Sequence, residues 1–240
     1  MRRLLFYILF FPLTIYYSCA MGIMGFSKNR GHWGEKFGYA WTSKLAWLTG
    51  VRYEVDLSAL EPGGHYVFML NHQSQLDIML GYWLLRDHHV RFLAKKSLWN
   101  VPVFGWAMWG AQHIPIDRSN RRAAMKSVES AVQTVKDGVS PIVFPEGTRA
   151  EDLSRLQEFK TGGIILALKT GVPVAPIVIS GMGEVLPKGA WKLNPRPVVR
   201  VKALAPIDTT AYTLKDREKF RDELYQIMNQ AYIELRRESE

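Results

Sequence analysis

The chain has a single cysteine, Cys19, so an intrachain disulfide is excluded and the usage fits a reducing compartment. Its six histidines and that cysteine form no cluster with structural-zinc spacing, and no metal site is expected. Neither a Walker pattern nor a dinucleotide glycine fingerprint occurs, which argues against a nucleotide loop. No internal repeat or low-complexity linker divides the chain, and with 48% hydrophobic residues disorder describes it poorly. Negative charge is also scarce: 22 acidic residues face 31 basic ones, a formal net charge of +9. That balance favours an anionic partner or surface without choosing between nucleic acid and anionic lipid. With 240 residues, one large domain with an appendage is the simplest organisation.

The longest absence is of charge between Leu4 and Phe26. As a helix this run extends roughly 34 Å, enough to cross a bilayer. Arg2 and Arg3 ahead of it and the Ser18-Cys19-Ala20 tripeptide also fit a cleaved secretory signal. Its length, its aromatics and its continuation through Met21, Ile23, Met24 and Phe26 favour a retained membrane segment over that signal and over an element buried against protein. Pro12, Gly22 and Gly25 allow a bend, so insertion into one leaflet and a full span both stay open. Cations at both ends leave the orientation open too. The next stretch, His32 to Gly50, intersperses Trp33, Phe37, Tyr39, Trp41 and Trp47 with Lys36 and Lys44. It reads either as an interfacial helix with snorkelling lysines or as a helix packed on the globular body. The division is therefore a membrane-associated helical region over residues 1–50 and an α/β body over residues 51–240.

In the body, HYVFMLN reads as a buried strand, QLDIMLGYWLL as a helix and VRFLAKK as a short strand. WNVPVFGW is apolar but interrupted by Pro102, and HIPID reads as a strand edge. RRAAMKSVESAVQTVKD has a strong helical pattern stopped near Gly138, and EFKTGGIILALKTG is a helix weakened at Gly162 and Gly163. VSPIVFPE, GVPVAPIVIS and PRPVVRVKAL are β-rich, GMGEVLPKGAWKLNPRP reads as a loop, and LKDREKFRDELYQIMNQAYIELRRES as an exposed, capped C-terminal helix. The fold class is α/β: a mixed central sheet flanked by helices, with an N-terminal membrane-associated helical appendage.

Chemistry concentrates in a few segments. In MLNHQSQLDIML, His72 falls at a strand end and Asp77 in the first turn of the following helix. A neutral His72 could take a proton from a hydroxyl while Asp77 orients the other ring nitrogen. Ser74 and Asp77 also have capping-box spacing, and a carboxylate can serve both roles. In VFPEGTR, Gly147 permits close backbone approach, Thr148 can donate and Arg149 can hold phosphate through its donor fork. Glu146, an anion, would orient Arg149, accept from a substrate hydroxyl or hold the loop; a plain β-to-loop turn with a surface ion pair is the rival. Arg118 in HIPIDRSNRR is the best further phosphate ligand, and Lys95, Lys96 and Lys160 are secondary anion-binding candidates.

Taken in order, NHQSQLD, HIPIDR, FPEGTR and VPVAPI resemble the motifs of the PlsC-like glycerophospholipid acyltransferases, particularly the 1-acylglycerol-3-phosphate acyltransferases. Pro115 departs from a position that is often aromatic in that family, which leaves donor and acceptor preference open. The resemblance implies transfer of a fatty acyl group from acyl-CoA or acyl-carrier protein to lysophosphatidate, yielding phosphatidate, with no cofactor. It casts His72 as base, Asp77 as its orienting partner, Glu146, Gly147, Thr148 and Arg149 as acceptor-site residues, and Arg118 as part of a phosphate or donor clamp. It further implies a site on the cytoplasmic face of the cell membrane, with anionic lipids as partners. Another lysophospholipid or an amino-acid-derived lysolipid is the alternative acceptor, and a noncatalytic lipid-binding protein the alternative class. No nucleic-acid partner is expected, because no reading motif accompanies the positive charge.

Overall fold

The computed structural model describes residues 2–194 and 196–238. Two apolar helices, α1 (Arg2–Met24) and α2 (Arg30–Thr49), form a hairpin ahead of β1 (Arg52–Asp56). Then follow β2 (Val67–Leu70), α3 (Leu76–Leu84), β3 (Val90–Lys95), α4 (Phe104–Gly110), β4 (Ile114–Ile116), α5 (Arg121–Lys136) and β5 (Ser140–Val143). The chain closes with α6 (Thr161–Thr170), β6 (Val174–Ser180), α7 (Met182–Val185), β7 (Val198–Ala203) and α8 (Arg217–Arg237).

One seven-stranded sheet runs in the order β1-β7-β6-β2-β5-β3-β4, parallel throughout except for the antiparallel β6–β7 pair. The expected mixed sheet with flanking helices is therefore present. β2 sits centrally and every one of its residues is buried, as expected of a parallel strand covered on both faces. Its side chains alternate: Phe68 and Leu70 join a core with Leu76, Leu80 and Phe92, whereas Val67 and Met69 join another with Val128, Ile164, Leu224 and Met228. The strand order also reverses here, since β3 and β5 lie to one side of β2 and β6 to the other. In such sheets the crevice beyond the strand C-termini at that reversal is the usual ligand site.

The structure departs from several sequence expectations. α8 is not an exposed helix: Phe220, Leu224, Met228, Tyr232 and Leu235 form a buried stripe, while its dense charges occupy the other faces. The expected helix also extended to Ser239, which lies outside the described residues. β1 escaped notice because an edge strand of sequence RYEVD carries little apolar signal. The Pro102-interrupted stretch contains a 3-10 turn, Lys96–Asn100, followed by α4. The expected loop after β6 opens with the short α7, in which Met182 and Val185 are fully buried. The β-rich piece before Leu204 begins its strand only at Val198, and its first residue, Pro195, lies outside the described residues.

The two N-terminal helices pack on the body along their length. Phe6, Leu45 and Leu48 enter the same core as Leu70 and Phe92. Arg3 Nη1 donates to the Leu193 carbonyl at 3.1 Å near one end of α1, and Met21 packs with Ala107 and Ala111 near the other. α2 is fastened by Glu35, whose carboxylate accepts from the buried Arg91 guanidinium at 2.6 Å and also engages His89. α1 still exposes Leu4, Ile8, Phe11, Ile15 and Ile23 on its outer face, which needs an apolar partner.

Candidate active site

β2 ends at Leu70, and the polar run after it is held by specific bonds. Asn71 donates to the Ile179 carbonyl at 2.8 Å and accepts from the Ile179 N–H at 2.7 Å, which ties the turn to β6. Gln73 donates to the Tyr232 hydroxyl at 2.7 Å and accepts from Gly183 N–H, reaching α8 and α7. Between these anchors, His72 Nδ1 lies 2.8 Å from Asp77 Oδ2. The same oxygen accepts from the backbone N–H groups of Gln73 and Ser74 at 2.7 Å each. Asp77 thus fixes the turn ahead of α3 and holds the His72 ring at once, so the two geometric roles share one oxygen. Ser74 Oγ, besides accepting from Leu76 N–H, donates to the Leu186 carbonyl at 2.8 Å.

A fully buried carboxylate beside Nδ1 selects the tautomer in which Nδ1–H donates and Nε2 carries the lone pair. The ring is stacked on Phe144, with centroids 4.1 Å apart and planes at 17°, so it cannot swing away without losing that contact.

Phe144 begins the loop after β5, beside the end of β2, and the loop is stitched to the histidine turn. Ala150 N–H donates to the His72 carbonyl at 2.8 Å, and His72 N–H donates to Glu146 Oε1 at 2.7 Å. Glu146 Oε2 accepts from both the backbone and the side chain of Gln157 at 3.1 Å. Burial pushes the Glu146 carboxyl above the ordinary range, although the His72 and Gln157 donors pull the other way. Gly147 adopts a left-handed φ of 74°, a conformation that glycine takes without strain. Its carbonyl accepts from Arg118 Nη1 at 2.7 Å, which brings the two motifs together.

A cavity of about 230 Å³ opens at this junction. Its mouth is lined by Lys95, Arg118, Gly147, Thr148 and Arg149, and its interior by Phe92, Leu98, Ala107, Met108 and the Tyr82–His113 pair. His72 stands between the cationic mouth and the apolar interior. Arg149 makes no hydrogen bond or ion pair among the described residues, so its donor fork is available to an anion.

Three expectations change. Glu146 is turned inward and does not line the cavity; of the roles its chemistry allowed, holding the loop and the His72 turn is the one its bonds show. Lys96 lies outside the mouth and pairs with Asp117 at 3.5 Å. Lys160 lies beneath Gly147, and its backbone N–H fastens the Pro145 carbonyl at 2.7 Å. The bracing residues Asn71, Gln73 and Gln157 and the Tyr82–His113 pair went unassigned in the sequence. The one available signal was a run of polar residues, Asn71 to Gln75, following directly on a strand with no polar residue.

The acyltransferase family model matches residues 52–180. A 1-acyl-sn-glycerol-3-phosphate acyltransferase of Limnanthes alba is 34% identical over 182 residues, covering 75% of this chain and 63% of that protein. One from Salmonella typhimurium is 29% identical over 239 residues, covering 97% of this chain and 95% of that protein. The crystal structure of the 1-acyl-sn-glycerophosphate (LPA) acyltransferase PlsC from Thermotoga maritima superposes with a TM-score of 0.80 at 26% identity, covering 98% of each chain. The chain spans less than two thirds of the plant relatives it matches, such as those of Limnanthes alba and Brassica napus. Because the matched segment is more than half of the chain and holds both the His72–Asp77 turn and the Glu146–Arg149 loop, the chain belongs to the acyltransferase family.

Proposed function

We propose that the protein is a 1-acylglycerol-3-phosphate O-acyltransferase, moving a fatty acyl group from acyl-CoA or acyl-carrier protein to the sn-2 hydroxyl of lysophosphatidate to form phosphatidate. The observation that carries this reading is the position of His72, oriented by Asp77 from behind and placed between a cationic mouth and an apolar interior. A phosphate-bearing acceptor and a thioester with a long apolar chain need those two surroundings on either side of one base. The names of the relatives supply the substrate.

In the reaction so drawn, His72 Nε2 takes the hydroxyl proton as the acceptor oxygen attacks the thioester carbonyl. Asp77 stabilises the imidazolium that forms. Collapse of the tetrahedral intermediate breaks the carbon–sulfur bond, and His72 returns the proton to the leaving thiolate. The sum is ester plus thiol, with no protein nucleophile and no cofactor required. Arg149 and Arg118 hold the acceptor phosphate at the mouth, with Gly147 and Thr148 shaping that rim. Lys95 adds positive charge beside them.

A helix docked along the body over its whole length lies in one leaflet rather than crossing both, and this is the membrane placement we assign to α1. Anionic headgroups would meet Arg2, Arg3, Lys28 and Lys44. The cytoplasmic face of the cell membrane, where soluble acyl donors occur, is the matching side.

The test is product identification with purified protein in vesicles, supplying lysophosphatidate with either donor. Phosphatidate is the expected product; its absence with both donors would overturn the assignment. Arg149→Ala is expected to raise KM for lysophosphatidate roughly 10–150-fold, from the loss of a charge-assisted pair of roughly 1.5–3 kcal/mol. Equal use of lysophosphatidate and a zwitterionic lysophospholipid by the unaltered protein would instead favour the broader acceptor reading.

A further inference from the structure

A second apolar compartment adjoins the catalytic cavity and is unused in the reaction as drawn. It is a groove of about 530 Å³ between α1, the start of α3, and the segments 101–104 and 186–191. Trp41, Ile78 and Phe104 line both compartments, so the wall between them is one side chain thick. Trp41 is fixed in that wall, its indole N–H donating to Thr14 Oγ1 at 3.2 Å, while the Thr14 hydroxyl donates to the Phe10 carbonyl at 2.6 Å. The threonine's polarity is consumed within the protein, and the groove surface stays apolar. Its two sides are also fixed to each other: the Tyr7 hydroxyl donates to the Trp191 carbonyl at 2.8 Å and accepts from Leu193 N–H at 2.7 Å.

The rims of the two compartments differ in kind. A chain entering the catalytic cavity passes Lys95, Arg118 and Arg149, a route suited to an acyl group delivered by a water-soluble carrier. A chain entering the groove passes the exposed side chains of Phe11, Ile15, Val101 and Trp191, which is 75% exposed. Those side chains continue the outward apolar face of α1, which asks for lipid. The reaction ends with two acyl chains on neighbouring carbons of one glycerol, and here two apolar compartments flank one wall. We propose that the groove seats the acyl chain already carried by the acceptor lysolipid, entering sideways from the leaflet, while the transferred chain occupies the cavity behind His72. This inference rests on the acyltransferase reading above and adds to it a separate site for the acceptor tail.

A lysophosphatidate with a photoactivatable diazirine at the end of its acyl chain, added to the full-length protein in phosphatidylcholine vesicles, tests the assignment. The expected label falls on α1, on 101–104 or on 186–191, and unlabelled lysophosphatidate displaces it. Label on Phe92 or Met108 would place the tail behind His72 and overturn the proposal. Equal displacement by added phosphatidylcholine would make the groove a seat for bulk lipid and overturn it as well. Phosphatidate formed without label in the groove refutes the groove alone; displaceable label without phosphatidate supports the groove and refutes the reaction. As a second measurement, Ala190→Trp and Val101→Trp add bulk at exposed groove positions. Each is expected to lower the kcat/KM ratio of a palmitoyl-tailed to a hexanoyl-tailed acceptor about tenfold, the scale of two methylenes losing their burial. A change in donor chain-length preference with that ratio intact would assign the groove to the donor instead.

Discussion

The loop 144–150 and helix α4 line the same cavity, yet they are held by opposite means. The loop is fixed by directional bonds: the Glu146 carboxylate, the Arg118 guanidinium and the N–H groups of Ala150 and Lys160 each engage a named partner. α4 is fixed by close backbone approach. A Cβ on Gly105 would overlap the Trp99 carbonyl oxygen, and one on Gly110 would overlap that of Met21. Directional bonds place a reacting atom, whereas backbone contact sets the shape of an apolar wall. The two sides of the cavity should therefore fail differently. The largest effect is expected where the bonds converge: His72→Ala should lower kcat by roughly 10²–10⁴-fold while vesicle co-sedimentation is retained. Normal turnover by that variant would remove His72 as the base.

One step back along the same network, Glu146→Leu removes the acceptor of His72 N–H and of both Gln157 donors. A buried donor left unmade costs about 1–3 kcal/mol, and the Gln157 side chain keeps the Thr148 carbonyl as an acceptor, so stability should fall by roughly 1–3 kcal/mol in denaturant titration. Activity should fall through kcat more than through KM, because the histidine turn loses its brace. A variant with unaltered kcat would show that the turn holds itself.

The apolar side is probed by Gly110→Ala. The added methyl must separate α4 from α1, at a cost of about 1–3 kcal/mol for overpacking. The expected signature is a changed donor chain-length profile with lysophosphatidate KM conserved, measured with acyl donors of graded length. A uniform loss for all donors would mean that the helix pair acts on the histidine turn and not on the shape of the wall.

The same contrast explains what could be read from the sequence. His72, Asp77, Arg118 and Arg149 could be singled out because hydroxyl activation and phosphate binding demand particular residue types at short spacing, and the structure brings the His72 turn, Arg118 and the 146–149 loop to one cavity. Asp77 was ambiguous between holding the turn and holding His72 because one oxygen bonds both the ring and the backbone N–H groups. Glu146 stayed open between orienting Arg149, meeting a substrate hydroxyl and holding the loop, with the acceptor role implied by the resemblance, because nothing in FPEGTR says that its side chain points inward; that depends on Gln157, eleven residues later. The wall was harder still. α4 is short, begins after a Val103 with positive φ, and owes its place to glycine contacts with a helix more than eighty residues earlier. α8 fails for a different reason: its charge count outweighed a five-residue apolar stripe that was present all along.

The last effect, which appears only on acidification, concerns the inner end of the cavity, where the two modes of construction meet. His113 accepts from Phe92 N–H at Nδ1, 3.2 Å away, and its Nε2 lies 3.2 Å from the Tyr82 hydroxyl. Burial, with the nearby Arg91 charge adding to it, pushes the imidazole pKa down to about 3. In the unfolded chain the same ring titrates near 6.5, so below that pH the unfolded state binds a proton that the folded state refuses. The stabilisation is therefore complete above pH ~6.5 and is lost as pH falls toward about 3, by at most ~1.4 kcal/mol per pH unit. His113→Asn keeps an acceptor for Phe92 N–H but does not titrate. Its unfolding free energy should fall less steeply than the parent's between pH 6.5 and 4; parallel curves would show that His113 takes up its proton in the folded state, as a water-exposed imidazole does.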